Sequence, residues 1–481
     1  MSDLHFRDAT RLSPRAWGAL LVLCGALFLD ALDVSMVGVA LPSIRNDLHL
    51  STSSLQWVVS AYVLGYGGFL LLGGRAADLL GRRRVFLIAL GVFVVASALG
   101  GLATGGTLLI VTRFVKGLSA AFTAPAGLSI ITTTFAEGPA RNKALSVYTA
   151  TGAAGFSLGL VFGGLLTEIG WRWTFLLPAP VAFVALVAGL ILVPAGERPE
   201  RTGRSVDVAG AVALTSAMLL LVYTLVEAPT VGWASTRTLL SLVAVAAILG
   251  AFLVREQRAA HPLVRLGILR SSLLVRANLA AMALAGWFGF QFIATLYMQQ
   301  LRGWSALEAG LAIFPAGLLV ALLSTRIAPL IERVGVTRLV VAGLASIAAG
   351  YALFLPIGLD SSYVGGMLPT FLLAGLGFGL AFAPLNVAAT SGVAPQEQGL
   401  AGGLINTSFQ LGGAFVLAVV TAVASASTGQ NSSPQAILDG FHTALYATIA
   451  VAVLGALAML KRRPVAAVAE APFEEVFEEA A

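Results

Sequence analysis

Apolar stretches of membrane-spanning length recur along almost the whole chain, and short loops rich in arginine separate them. A helix needs about 20 mostly apolar residues to cross a bilayer. Scanned on that basis, the sequence offers fourteen candidates. The first six are Trp17–Ala40, Leu55–Leu72, Val85–Ala103, Leu108–Phe135, Ala144–Thr167 and Trp173–Val193. Two more follow, Val208–Val226 and Leu239–Arg255. The last six are Leu274–Leu301, Leu307–Ile331, Leu339–Ile357, Tyr363–Ser391, Leu400–Ala426 and Phe441–Leu460. Composition agrees. Charged residues make up 11% of the 481 positions, against roughly 25% in a soluble protein, which is too few to coat a globule in water.

Loop charge sets the orientation, because basic residues stay on the cytoplasmic side. With the amino terminus inside, the cytoplasmic loops hold Arg75, Arg82, Arg83, Arg84, Arg141, Lys143, Arg198, Arg201, Arg204, Arg255, Arg258, Arg265, Arg270, Arg333, Arg338 and the tail cations Lys461, Arg462 and Arg463. The outside loops hold only Arg45, Arg172, Arg237 and Arg302. Both termini are therefore expected in the cytoplasm, with an even number of crossings. The net charge of +6 belongs to this asymmetry and is no sign of a nucleic-acid partner. The first span follows Arg7, Arg11 and Arg15, but its apolar run exceeds that of a signal peptide, so it reads as a retained helix.

The loop Gly73–Val85, GGRAADLLGRRRV, has a weak echo. Pro329, Glu332, Gly335 and Arg338 stand where Arg75, Asp78, Gly81 and Arg84 stood, each offset by 254 positions (335 minus 81). Two copies of one helix–turn–helix imply two related halves, as in many transporters. The expected organisation is a cytoplasmic amino terminus (1–15), a first six-helix bundle (16–196) and a linker (197–206). Two inserted helices (207–256), a second linker (257–273), a second bundle (274–460) and a tail (461–481) complete it.

The chemistry-bearing residues lie inside the spans. Asp30 and Asp33, three apart in the first, share a helix face. An acid at membrane depth is costly and normally faces a wet cavity, where it binds a proton, a cation or a partner; the bland alternative is a hydrated acid at the interface. Arg113 has no neutral form to adopt and needs acceptors, for which either aspartate serves. Lys116 reads either as a second functional cation or as a snorkelling residue near a helix end. Gly152, Gly155, Gly159, Gly163 and Gly164 stripe the fifth span; such a face serves sliding or static close packing. Gln291, Asn386, Asn406 and Gln410 either line a cavity or join neighbouring helices. Trp57, Tyr62, Tyr66, Trp287, Phe288, Phe290 and Tyr297 offer an aromatic pocket for flat lipophilic cations, although Trp57 also suits an interface anchor.

Other classes find little support. No GxxxxGK[ST] stretch exists to bind nucleotide phosphates. Four scattered histidines and the single Cys24 give no metal site, and no nucleophile elbow or triad suggests an enzyme. No cofactor is expected.

Together these motifs resemble the major facilitator superfamily, and within it the fourteen-helix branch of drug:proton antiporters. GGRAADLLGRRRV resembles the superfamily's loop signature between helices two and three. LDVSMVGVALP resembles the first-helix signature of the drug exporters, with Asp33 at its acid, and RFVKGLSAA the fourth-helix signature, with Arg113 at its arginine. GAAGFSLGLVFGG, followed by WRWTF, resembles the fifth-helix antiporter signature. The resemblance implies an all-helical membrane protein of two six-helix bundles plus two inserted helices, acting as a monomer in the cell membrane by alternating access. It implies proton coupling through Asp33 and Arg113, with Asp30 as a further candidate. A cytoplasmic latch would come from Gly74, Arg75, Asp78, Gly81, Arg82, Arg83 and Arg84, and an antiporter face from Gly155, Gly159, Gly163 and Gly164. Three positions depart from it: Leu160 replaces a proline, Gly38 an asparagine and Lys116 a common glutamine. The expected function is proton-driven export of lipophilic or cationic drugs, with a proton neutralising Asp33 to release substrate. The alternatives are a dedicated exporter of one endogenous metabolite or self-made antibiotic and, more remotely, a non-transporting receptor or scaffold.

Overall fold

The computed structural model describes residues 14–135, 139–194, 208–258, 266–324, 326–393, 398–428 and 433–460. The expected linker 197–206, residues 259–265 of the linker 257–273 and the tail 461–481 lie outside them. Every regular element among the described residues is helical.

The first six helices are α1 (Pro14–Leu48), α2 (Thr52–Leu80), α3 (Arg82–Gly101), α4 (Gly106–Thr134), α5 (Pro139–Ile169) and α6 (Trp173–Leu192). Helices α7 (Val208–Val231) and α8 (Thr236–Arg258) come next. The last six are α9 (Ser272–Leu301), α10 (Ala306–Ser324), α11 (Val336–Phe354), α12 (Tyr363–Thr390), α13 (Gln398–Thr428) and α14 (Pro434–Leu460). Among the described residues, twelve helices are long and apolar enough to cross a membrane, and Val212–Ala228 within α7 is a shorter apolar helix. The fourteen crossings expected from the sequence thus meet twelve that satisfy this criterion. Helix α10 also stops short of the expected Leu307–Ile331: a separate short helix, Ile327–Val334, follows it.

Packing repeats between the halves. Helix α1 lies on α5 and α6 as α9 lies on α13 and α14; α2 lies on α4 as α10 lies on α12; α3 lies on α4 and α6 as α11 lies on α12 and α14. The two sets meet in a crossed pair of contacts, α5 with α10 and α2 with α13. Each joins a second helix of one half to a fifth helix of the other, as expected when an approximate two-fold axis relates two repeats. Helix α7 lies against both α2 and α13, beside this seam.

Small residues make the closest approaches. Without a hydrophobic drive between helices in lipid, backbone proximity and van der Waals contact carry association. A Cβ placed on Gly163 would come 2.7 Å from the Cα of Met36 on α1, and one on Gly164 would come 2.6 Å from the Cα of Leu307 on α10. Gly65 and Gly73 of α2 abut the α4 backbone, and Gly117 of α4 abuts the α2 backbone. Further bonds tie the halves at the end away from Gly81: Gln299 Nε2 donates to the Val39 carbonyl (2.8 Å), and the Leu307 N–H donates to Glu168 Oε1 (3.3 Å).

Candidate functional site

Arg113 and Lys116 stand three apart on α4, so both point from one face toward α1. There Arg113 Nη1 donates to Asp33 Oδ2 and Lys116 Nζ to Asp33 Oδ1. Asp33 and Lys116 are 0% exposed and Arg113 is 2% exposed. Arg113 also donates from Nε to the Val58 carbonyl (3.0 Å), and its guanidinium lies 4.6 Å from the Tyr62 ring centre. Lys116 Nζ sits 4.7 Å from the Phe93 ring centre and 5.1 Å from that of Phe175. Two cations thus share one carboxylate, and aromatic faces help to stabilise the excess positive charge.

This placement decides between the two readings of Lys116 and corrects the expectation for Asp33. Lys116 does not snorkel; its ammonium is buried on Asp33. Asp33 does not face a wet cavity; both its oxygens are taken by cations. Asp30, one turn away, is 8% exposed and accepts from Thr123 Oγ1 (3.1 Å). The two acids share a stretch of helix but differ in surroundings, one among charges and the other beside a hydroxyl.

A small cavity of about 30 Å³ lies between the halves. Helix α1 contributes Val37 and Gly38 to its wall, α2 Tyr62, α4 Arg113, and α9 Phe288 and Gln291. The Gln291 amide nitrogen has no hydrogen-bond partner among the described residues. A Cβ on Gly38 would come 2.9 Å from it. The absence of a side chain at Gly38 therefore makes room for the Gln291 amide.

The remaining candidates are dispersed. Phe290 turns away from the cavity into the second half, stacked on Tyr351 at 4.5 Å and edge-on to Phe354 at 5.5 Å; Phe288 and Phe292 line the cavity in its place. Trp57 packs against α7, donating from Nε1 to Glu227 Oε1 (3.0 Å), with its ring 5.8 Å from that of Tyr223. Asn386 and Asn406 donate to carbonyls of their own helices, those of Phe382 and Gly402, each at 2.9 Å. Gln410 lies against Gly67 at the contact between α2 and α13.

The glycines of α5 serve two neighbours. Gly155, Gly159 and Gly163 follow a spacing of four along the backbone of α1 at Phe28, Leu32 and Met36, whereas Gly164 faces α10. In the loop expected to form a latch, Gly81 joins α2 to α3 at φ 94°. Arg75, Arg82 and Arg83 are partly buried, Arg84 is exposed, and Arg83 donates to the Leu190 carbonyl. The Asp78 side chain lies outside what the structure describes. Gly74 has only ordinary contact, with Pro125 at 3.8 Å. The tight positions Gly65, Gly73 and Gly117 were missed as functional candidates, although the eight-residue spacing of the first two, about two helical turns, marks one face of α2.

Comparison with known proteins gives one family. The family model described as Major Facilitator Superfamily matches residues 23–417. The puromycin resistance protein pur8 of Streptomyces alboniger is 38% identical over 452 residues, covering 92% of this chain and 89% of that protein. The cephamycin export protein CmcT of Amycolatopsis lactamdurans is 40% identical over 456 residues, covering 92% and 91%. Among solved structures, the POT family transporter PepTSo shares the fold with a TM-score of 0.69 at 20% identity, covering 94% of this chain and 98% of that one.

Proposed function

Because this chain belongs to the major facilitator superfamily, and is thus a multi-pass membrane transporter of small molecules, we propose that it works as a proton-coupled exporter of lipophilic, antibiotic-like compounds by alternating access. The observation that carries the reading is the buried Asp33–Arg113–Lys116 cluster, whose arginine also forms part of the wall of the cavity between the halves. An ionisable cluster at membrane depth is expensive and marks an ion or proton pathway. Sharing Arg113 between cluster and cavity gives protonation a route to substrate affinity.

In this reading the protein crosses the membrane fourteen times, with α2 and α7 completing the set and both termini in the cytoplasm. Asp30, Asp33 and Arg113 form the coupling cluster, joined by Lys116. The loop carrying Arg75, Asp78 and Arg82–Arg84 latches the halves on the cytoplasmic side, and the glycines of α5 support exchange. The protein acts as a monomer. Among the described residues the cavity lining carries Arg113 and no carboxylate, which narrows the substrate from lipophilic cations toward lipophilic molecules bearing hydrogen-bond acceptors.

A second reading, dedicated export of one self-made antibiotic, is favoured by relatives whose names specify puromycin resistance and cephamycin export. Uptake into everted vesicles under an imposed pH gradient separates the two, with ethidium, puromycin and the neutral dye Nile red as probes. Gradient-driven uptake of several probes supports polyspecific export, and uptake of one alone supports the narrow exporter. Uptake that ignores the gradient defeats proton coupling.

A further inference from the structure

We infer that, within the proton-coupled reading above, Asp30 takes up and releases the coupling proton, while Asp33 stays ionised as the anchor of Arg113 and Lys116. The two acids differ in what a proton would displace. Each oxygen of Asp33 accepts from a buried cation. A proton arriving there must evict one of those donors and leave Arg113 and Lys116 together without an anion in a low-dielectric interior, the least favourable state of a buried ion pair.

Asp30 has no such obstacle. Its bonded partner is a neutral hydroxyl, Thr123 Oγ1 at 3.1 Å. The same hydroxyl lies 3.3 Å from the Ala120 carbonyl. A hydroxyl is both donor and acceptor and rotates to suit its surroundings. With Asp30 ionised, the Thr123 O–H donates to the carboxylate. With Asp30 protonated, the carboxyl O–H donates to Thr123 Oγ1, and the Thr123 O–H turns to the Ala120 carbonyl. Both protonation states are thus satisfied without moving a helix. Asp30 also keeps 8% of its surface exposed, whereas Asp33 has none.

The other ionisable groups near Asp30 are Asp33 on its own helix, Lys116 on α4, Tyr62 and Tyr66 on α2, and Tyr148 on α5. Phenols ordinarily ionise near pH 10, roughly, and Lys116 and Asp33 are locked together. Asp30 is therefore the member able to change charge. With both acids ionised, Asp30 and Asp33 balance Arg113 and Lys116. Protonating Asp30 leaves one positive charge in excess beside the cavity that Arg113 lines, which is how the proton alters substrate affinity.

Infrared titration of the full chain in liposomes tests this directly. The unmodified protein should show a protonated-carboxyl C=O band that titrates; the band should vanish in Asp30→Asn and persist in Asp30→Glu. In everted vesicles, Asp30→Asn should lose pH-driven accumulation of a probe that the unmodified protein accumulates, yet still equilibrate it downhill. A titrating band that survives in Asp30→Asn, or undiminished pH-driven accumulation by that variant, overturns the assignment. The infrared band decides on Asp30 even where the unmodified protein fails to couple transport to the gradient, so this inference and the transport reading fail separately.

Discussion

Gly81 and Gly335, 254 positions apart (335 minus 81), occupy the same place in the two halves. Each ends one helix and begins the next, at φ 94°, ψ 123° and φ 87°, ψ 148° respectively. The echo between the two loops is therefore an echo of backbone geometry. Space does not select glycine here, since a Cβ at either position would have no neighbour within 4 Å. Conformation does: positive φ with extended ψ is essentially a glycine region.

Gly81→Ala and Gly335→Ala are accordingly expected to cost about 1–3 kcal/mol each, through backbone strain alone. Thermal unfolding of each variant in detergent checks this. Unchanged midpoints would show that the turns relax without strain and that the shared geometry imposes no demand.

The α1–α5 contact makes a steric prediction. A Cβ on Gly159 would run into Ser35 Oγ and come 2.6 Å from the Leu32 carbonyl oxygen. Backbone cannot yield as a flexible side chain does, so Gly159→Ala should destabilise by about 1–3 kcal/mol, as overpacking does. Gly25, on α1, has nothing within 4 Å of its Cβ position. Gly25→Ala should instead stabilise by roughly 0.5–1 kcal/mol, the helix-interior difference between alanine and glycine. Unfolding midpoints that moved alike for the pair would refute this account of the contact.

How much of this was legible in the sequence depends on the kind of interaction. Span length, loop charge and glycine spacing are local, and they led to an all-helical membrane protein with two related halves. That Arg113 would pair with one of the two aspartates was also accessible, because a buried arginine must find an acceptor; that it is Asp33 rather than Asp30 was not. Lys116 was not settled, since a long stem near a helix end has two equally good destinations and only the position of α1 decides between them. Phe288 and Phe290 show the same limit. In a helix apolar on every side, periodicity does not say which face meets a cavity, so Phe288 and Phe290 were both assigned to the pocket, and of the two only Phe288 lines it. The role of Gly38 depends on Gln291, 253 residues away (291 minus 38), and no local pattern links them.

Arg113 is held by its shape as well as by its charge. Nε bonds the Val58 carbonyl, Nη1 bonds Asp33, and the guanidinium plane lies over Tyr62. Lysine keeps the charge but has no fork and no stacking plane. Arg113→Lys should leave the buried Val58 carbonyl without this donor and lower stability by about 1–3 kcal/mol. It should also abolish gradient-driven uptake while the protein remains in the membrane. Vesicle transport together with membrane abundance tests this, and wild-type transport by Arg113→Lys would reduce the arginine to a point charge.

Asp33 and Lys116 give the sharpest energetic test. Asp33→Asn removes the shared anion of two buried cations, and breaking a buried pair by removing one partner costs about 3–5 kcal/mol. The variant should therefore lose much of its folded population, and its lack of transport alone would say nothing about proton carriage. Lys116→Gln acts differently. It removes the cation that Asp33 can spare, since Arg113 still occupies the other oxygen. It should cost less than Asp33→Asn and leave the protein folded. Adding Lys116→Gln to Asp33→Asn should recover part of the lost stability, because only one buried cation is then uncompensated. A double-mutant cycle on unfolding midpoints measures this coupling. Strictly additive losses would mean that the Asp33–Lys116 contact contributes nothing to holding α1 against α4.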